Sequence, residues 1–495
     1  MRHVANGTRL SLVMVLLTLW GCAPATAPPV EDAPRVTSPE AAPGVEVDIE
    51  LGEPAAVDAV VPSTPATAPE TPSPVEELQP AASQPPASQP PASQPAAAPA
   101  SQDVSDASGP YWPMFQGPAG DNISNETGLL REWPEGGPTR LWTAQGMGEG
   151  YASVSLAGGL IYTAGNIDNK TVVTALDLDG KIRWQMPAGA AWTKDYPGTR
   201  STPTLDGDRL YYQNPLGELS CLKAATGELI WQVNVLERFG AENIRWALAE
   251  SPLIDGNRVI STPGGPKTAV VALDKMTGET VWQSESAEGD ATGYATPTLA
   301  EYKGKRLLFT MTAQAAICVD ADSGRLYWRF PHKTEYDVNA TTPIFHDGHL
   351  FITSGYRTGS RMLRVLVDGD KVGVEEAWQN ADLDNHHGGA ILLGGHVYGS
   401  DSRRAWICLD WKDGRTVYTE RGVGKGSLTY AEGMLYTLSE NGQMGLVPAT
   451  PEAHNLVGQF KLPPDGQGKS WAYPVVCDGR LYLRHGDFLY CYNVR

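Results

Sequence analysis

Most of the chemistry this sequence can offer sits at eight repeat-equivalent positions. Tyr151, Arg200, Tyr294, His387, Lys425 and Trp471 each stand three residues ahead of a marker in a short apolar strand. The two remaining copies carry Ala249 and Ala340, flanked by Glu250 and Asn339. Aromatic faces beside a guanidinium, an ammonium and an imidazole suit an anionic or aromatic group, because ring quadrupoles attract cations and positive charge gathered in a concavity focuses field. A partly exposed His387 would add pH dependence near neutrality. Equivalent positions share an orientation, so Tyr151, Arg200, Glu250, Tyr294, Asn339, His387, Lys425 and Trp471 are expected to meet at one channel mouth. The competing expectation packs them between repeats or leaves them in solvated loops. None of them is assigned a catalytic step.

Other chemistry leaves little trace. There is no HExxH, CxxC, GxSxG or phosphate-cradling loop. His386 and His387 are consecutive, so on a strand they face opposite ways, and no metal site is expected. Of six cysteines, Cys221, Cys318, Cys408 and Cys491 occupy one repeat position that Ala175 and Ala272 fill elsewhere. Equivalent positions two repeats apart are too distant for a disulfide, whose Cα atoms lie within about 7 Å. These residues are therefore expected to be small core groups. With 38 basic and 57 acidic residues, the net charge of −19 argues against nucleic acid or anionic lipid as a partner.

Two interleaved repeats must position these residues. One is a strand, a turn and an aromatic: ALDLDGKIRW (175–184), CLKAATGELIW (221–231), ALDKMTGETVW (272–282), CVDADSGRLYW (318–328) and CLDWKDGRTVY (408–418), with weaker copies ending at Trp378 and Phe460. Its Gly supplies the positive φ of a tight hairpin, and its closing ring fills the wedge between neighbouring sheets. The other is a pair of apolar strands around a Gly-containing turn, in eight copies from SVSLAGGLIYTAG (153–165) to YPVVCDGRLYLRHG (473–486). Markers from Val154 to Pro474 recur at steps of 38 to 49 residues. Four short strands per unit at that period predict an all-β propeller of eight blades, with seven as the alternative count. The last unit ends after its third strand, and an orphan strand around Trp142 can supply the fourth, closing the ring without a free edge.

The chain divides into residues 1–22, 23–110 and 111–495. A basic start, an apolar run from Leu10 to Trp20 and then Gly21-Cys22 read as a secretory signal too short to span a bilayer. Residues 23–110, rich in Ala, Pro, Ser and Gln, cannot bury enough apolar surface to fold and are expected to form an extended stalk.

Leu19-Trp20-Gly21-Cys22 resembles a bacterial lipobox, apart from the bulky Trp20, which implies acylation of Cys22. An ordinary secretory signal is the other reading. Ala23 in place of Asp favours residence at the outer membrane, facing the periplasm, with the membrane reached through the lipid anchor alone. The A-x-D-x-x-T-G-x-x-x-W repeat resembles the tryptophan-docking motif of pyrroloquinoline-quinone (PQQ) dehydrogenases and of the barrel-assembly lipoprotein B component. Segments such as DNHHGGAILLGGHVYGS (384–400) and SWAYPVVCDGRLYLRHGDFLYCY (470–492) are similar to exported PQQ-repeat proteins common in Planctomycetes. The resemblance implies an eight-bladed PQQ-type propeller, and it implies two functions. One is a binding or scaffold module for envelope proteins or a small ligand at the propeller mouth, without a cofactor. The other is a PQQ- and Ca2+-dependent alcohol dehydrogenase. Such dehydrogenases place a vicinal Cys-Cys pair over the quinone, and no two cysteines here are adjacent.

Overall fold

The structure, a computed structural model, describes residues 109–495. The expected leader with Cys22, and the expected stalk up to residue 108, lie outside the described residues. Eight sheets make up the described residues, each a four-stranded antiparallel blade, with a short fifth strand added in parallel to the seventh. Blade 1 runs through Ser155–Ala157, Leu160–Ile167, Lys170–Asp177 and Ile182–Ala190, giving strands A to D from the channel outward. The same order repeats through blade 7, whose strand A is Gly426–Ala431. Blade 8 has Val475–Cys477, Arg480–His485 and Phe488–Asn493. Its outer strand is Arg140–Gln145, antiparallel to the last of these with Trp142 opposite Cys491.

Each blade leans on the next through the aromatic at the end of its repeat. Trp142, Trp184, Trp231 and Trp378 donate their indole N–H to the carbonyls of Leu178, Ala224, Lys275 and Trp411, each in the C–D turn of the following blade. The turn glycine is where that ring comes to rest: a Cβ on Gly227 would lie 2.6 Å from the Trp184 ring. The glycine thus serves a left-handed turn (φ 75°) and a tryptophan seat at once. Cys221, Cys318, Cys408 and Cys491 lie in the C strands, buried and free, as does Cys477 in the last A strand. Burial pushes the Cys408, Cys477 and Cys491 thiols up to about 12, which removes them as nucleophiles.

An inner ring of hydrogen bonds joins successive A strands. Thr204 Oγ1 donates to the carbonyl of Pro252 (2.7 Å), Thr298 Oγ1 to Pro343 (2.6 Å) and Thr429 Oγ1 to Pro474 (2.6 Å). Ser153 Oγ donates to the carbonyl of Tyr473 (2.8 Å), which ties the last blade to the first.

The segment ahead of the orphan strand has a second role. Trp112 pairs with Leu156 of blade 1, and the carbonyl of Pro113 accepts from Leu205 of blade 2. Phe115 then borders Ser251 and Thr296, and Ile123–Ser124 joins strand A of blade 7 as a parallel neighbour. Residues 112–124 therefore cross the channel and form its floor.

Candidate functional site

The loops leading into the A strands enclose a cavity of about 430 Å³. Tyr151, Arg200, Tyr294, His387, Lys425 and Trp471 all line it, and Ala249 and Ala340 complete the register of eight. Glu250 and Asn339 do not. In an extended loop successive side chains point opposite ways, so a neighbour of a lining residue turns back into the blades. Glu250 Oε1 accepts from Gln213, from the Ser261 hydroxyl and from the Thr262 amide, all buried. Asn339 Nδ2 donates to the carbonyls of Thr312, Ala313 and His332, and its Oδ1 accepts from Ser354. Both brace blade junctions.

Several wall residues escape a single register. Tyr356 and Glu440 follow the B strands of blades 5 and 7, which run antiparallel to A and so return to the mouth. Phe115 comes from the floor and packs edge-on against Tyr473 (4.9 Å between centroids). An aromatic belt results: Tyr356 to His386 at 4.9 Å, His386 to His387 at 4.9 Å, His387 to Trp471 at 5.0 Å and Trp471 to Tyr151 at 4.7 Å. Arg200 lies over the Tyr151 ring at 5.5 Å and is in no ion pair among the described residues. Its guanidinium donates to the carbonyls of Gly198 and Tyr196, leaving its charge open to an anion.

Polar groups on the opposite wall are already matched to one another. The Lys425 ammonium sits 2.8 Å from His386 Nδ1 and 3.1 Å from Glu440 Oε1. The same carboxylate oxygen accepts from His387 Nε2 and from Trp471 Nε1, both at 2.9 Å. Burial would raise the Glu440 carboxyl, but these hydrogen bonds and the Lys425 charge outweigh it and hold the group well below the usual range. Burial, with His387 and Lys425 nearby, drives His386 down to about 2, so its ring is neutral, accepts from Lys425 and offers Nε2–H to the Tyr356 hydroxyl at 2.9 Å. Burial likewise lowers His387, with Lys425 adding to the effect. The Glu440 carboxylate opposes that shift through its hydrogen bond and its charge, and the net downward direction favours the neutral ring.

The expectation that His386 and His387 diverge also fails, because residues 381–389 are a loop and not a strand. Both rings face the cavity, and donor atoms of His386, His387 and Glu440 lie within 4.8 Å of one another. Such a triad has the composition of a metal site, but the Lys425 ammonium stands where the ion would. A fixed positive charge about 3 Å from two of the donors repels a second cation.

The calcium–quinone centre of the dehydrogenases does not fit these residues. Calcium takes six to eight oxygen ligands. Among the described residues Glu440 is the one carboxylate on the cavity wall, and it already serves Lys425, His387 and Trp471. The five described cysteines are buried and free, none beside another.

Comparisons with known proteins agree with the fold. A family profile described as outer membrane protein assembly factor BamB matches residues 168–420, just over half of the chain. No curated protein sequence matches. Among solved structures, BamB from Moraxella catarrhalis is similar with a TM-score of 0.51 and 15% identity, over 72% of this chain and 97% of that one. A europium-containing methanol dehydrogenase is similar with a TM-score of 0.56 and 13% identity, over 76% and 90%. The quinohemoprotein alcohol dehydrogenase of Comamonas testosteroni gives 0.55 and 13%, over 78% and 80%. At such identities these likenesses speak for the fold alone. Eight blades, the docked tryptophans and the profile match together make this chain a member of the PQQ-like propeller family described as outer membrane protein assembly factor BamB.

Proposed function

We propose that this chain is an exported, lipid-anchored propeller that binds through its mouth, receiving an aromatic or anionic group from a small ligand or from a partner protein of the cell envelope. The observation that carries the reading is the convergence of residues from all eight blades on one floored cavity, ringed by aromatic faces with Arg200 unpaired. Rings add stacking and cation–π attraction, and an unpaired guanidinium adds a charge-assisted hydrogen bond. The polar groups of the wall are tied to one another: Ser153 donates to a backbone carbonyl, and His386 and His387 are committed to Lys425, Tyr356 and Glu440. These commitments favour a binding role. The family's assembly-factor description supports a protein partner at the outer membrane, and Cys22 would supply the anchor.

The test is titration of the full chain with 2-naphthoate and with the neutral 2-naphthamide, followed by tryptophan fluorescence. Tighter binding of the acid, lost in Arg200→Gln and Trp471→Ala, is expected. Equal affinity for both probes in all three proteins would return the ring of residues to a structural role. A Cys22→Ser protein is expected to leave the membrane fraction, and its retention there in high salt would refute the anchor.

A further inference from the structure

We infer a second binding site beside the first: the groove between blades 6, 7 and 8 lined by Arg404, Arg421 and Lys469 is a phosphate subsite. The groove holds about 330 Å³ and shares Lys425, Glu440 and Lys469 with the central cavity. Its walls carry four cations and a single carboxylate, in a chain whose net charge is −19. That carboxylate, Glu440, is engaged by Lys425, His387 and Trp471. Arg404, Arg421 and Lys469 are in no ion pair among the described residues, although other arginines close by, such as Arg403 with Asp401, are paired.

Three unopposed cations facing one concavity repel one another, and a bound anion relieves the repulsion. One carboxylate would neutralise one of them. A phosphate brings up to two charges and enough oxygens for two guanidinium forks, the match at which arginine exceeds lysine. The loop that presents Arg421 is held in place. A Cβ on Gly422 would fall 2.5 Å from the Trp406 ring and 2.6 Å from His454, so this backbone lies directly on that stacked pair. Gly424 follows at φ 93°, a left-handed turn that brings the chain round to Lys425. Gln443 and Gln459 on the same wall add amide donors. The phosphate belongs either to a free phosphorylated compound or to a phospholipid headgroup, and the two share this chemistry. The subsite does not depend on what the central cavity binds.

Calorimetric titration of the full chain with inorganic pyrophosphate at low ionic strength tests it, alongside flotation with phosphatidylglycerol vesicles against phosphatidylcholine vesicles. The wild type is expected to bind pyrophosphate, or to favour phosphatidylglycerol beyond any anchor-driven binding common to both vesicles. The first result marks a free phosphate, the second a headgroup. The Arg404→Gln, Arg421→Gln double variant, both sites exposed, should lose about tenfold or more in affinity, since each charged hydrogen bond is worth roughly a factor of ten. Arg421→Lys should fall between, and Arg183→Gln, on the outer strand of blade 1, should stay within about twofold of wild type, which separates this groove from surface charge in general. Absence of both pyrophosphate binding and the vesicle preference, or an unchanged double variant with an unchanged melting curve, would overturn the proposal.

Discussion

Acidification should unfold this propeller through two histidines that take no part in the mouth. His332 and His454 are 2% and 6% exposed, and neither ring nitrogen of either one has a hydrogen-bond partner among the described residues. His454 lies flat on Trp406, with centroids 5.2 Å apart and planes 11° apart. Burial lowers both to about 4 from 6.5, with the nearby charge of Arg361 adding to the effect at His332. A depressed value in the folded state means that the unfolded chain takes up protons first. Stability is therefore whole above pH 6.5, declines as pH falls, and has lost its full share below about pH 4. At 1.36 kcal/mol per unit, each histidine accounts for about 3 kcal/mol, a large part of ordinary domain stability. Urea midpoints measured from pH 8 to pH 4 should fall steeply in the wild type. The His332→Phe, His454→Phe double variant should lose most of that slope while remaining as stable at pH 8, because it replaces unpartnered polar atoms with apolar ones. Each single variant should remove about half. Parallel pH slopes for wild type and double variant would refute the reasoning.

Other expectations follow from single contacts. Gly207 and Gly227 both have positive φ, but a Cβ meets nothing at the first and the Trp184 ring at the second. Gly227→Ala should cost about 1–3 kcal/mol more than Gly207→Ala in denaturation, and equal costs would count against the docking role. Glu440→Gln removes the one negative charge of the central cavity, so affinity for an aromatic carboxylate should rise roughly threefold to tenfold, and a drop would argue against a cation-directed site. Deleting residues 109–145 takes Trp112, Leu129 and Trp133 out of the core, re-exposes side chains they cover such as Leu156, Tyr436 and Phe460 at up to about 1.5–3 kcal/mol each, and strips blade 8 of its outer strand, whereas deleting 23–108 should leave the urea midpoint unchanged. Identical midpoints for the two truncations would sink that account.

Where the chain repeats, its sequence was enough to read the fold. The D-x-x-x-G-x-x-x-W spacing specifies a hairpin and a tryptophan seat, the marker steps count eight blades, and Trp142 stands where a missing fourth strand is needed. The same periodicity placed Tyr151, Arg200, Tyr294, His387, Lys425 and Trp471 at the mouth, because ladder hydrogen bonds force equivalent positions to face the same way. Glu250 and Asn339 fell outside that logic: one step along an extended chain reverses the side chain, and both face inward. The rest was decided by tertiary structure. Phe115 reaches the cavity because a segment without any repeat crosses the channel floor. His386 and His387 face the same space because a loop, free of the strand's alternation, carries them. Lys425 meets Glu440 across the A–B hairpin of its own blade 7, but it reaches His386, 39 positions back, only once blades 6 and 7 stand side by side. A period encodes direction within a blade, whereas the distance between groups on different blades depends on how the whole ring closes, and that distance sets which charges are spent on one another and which stay open to a ligand.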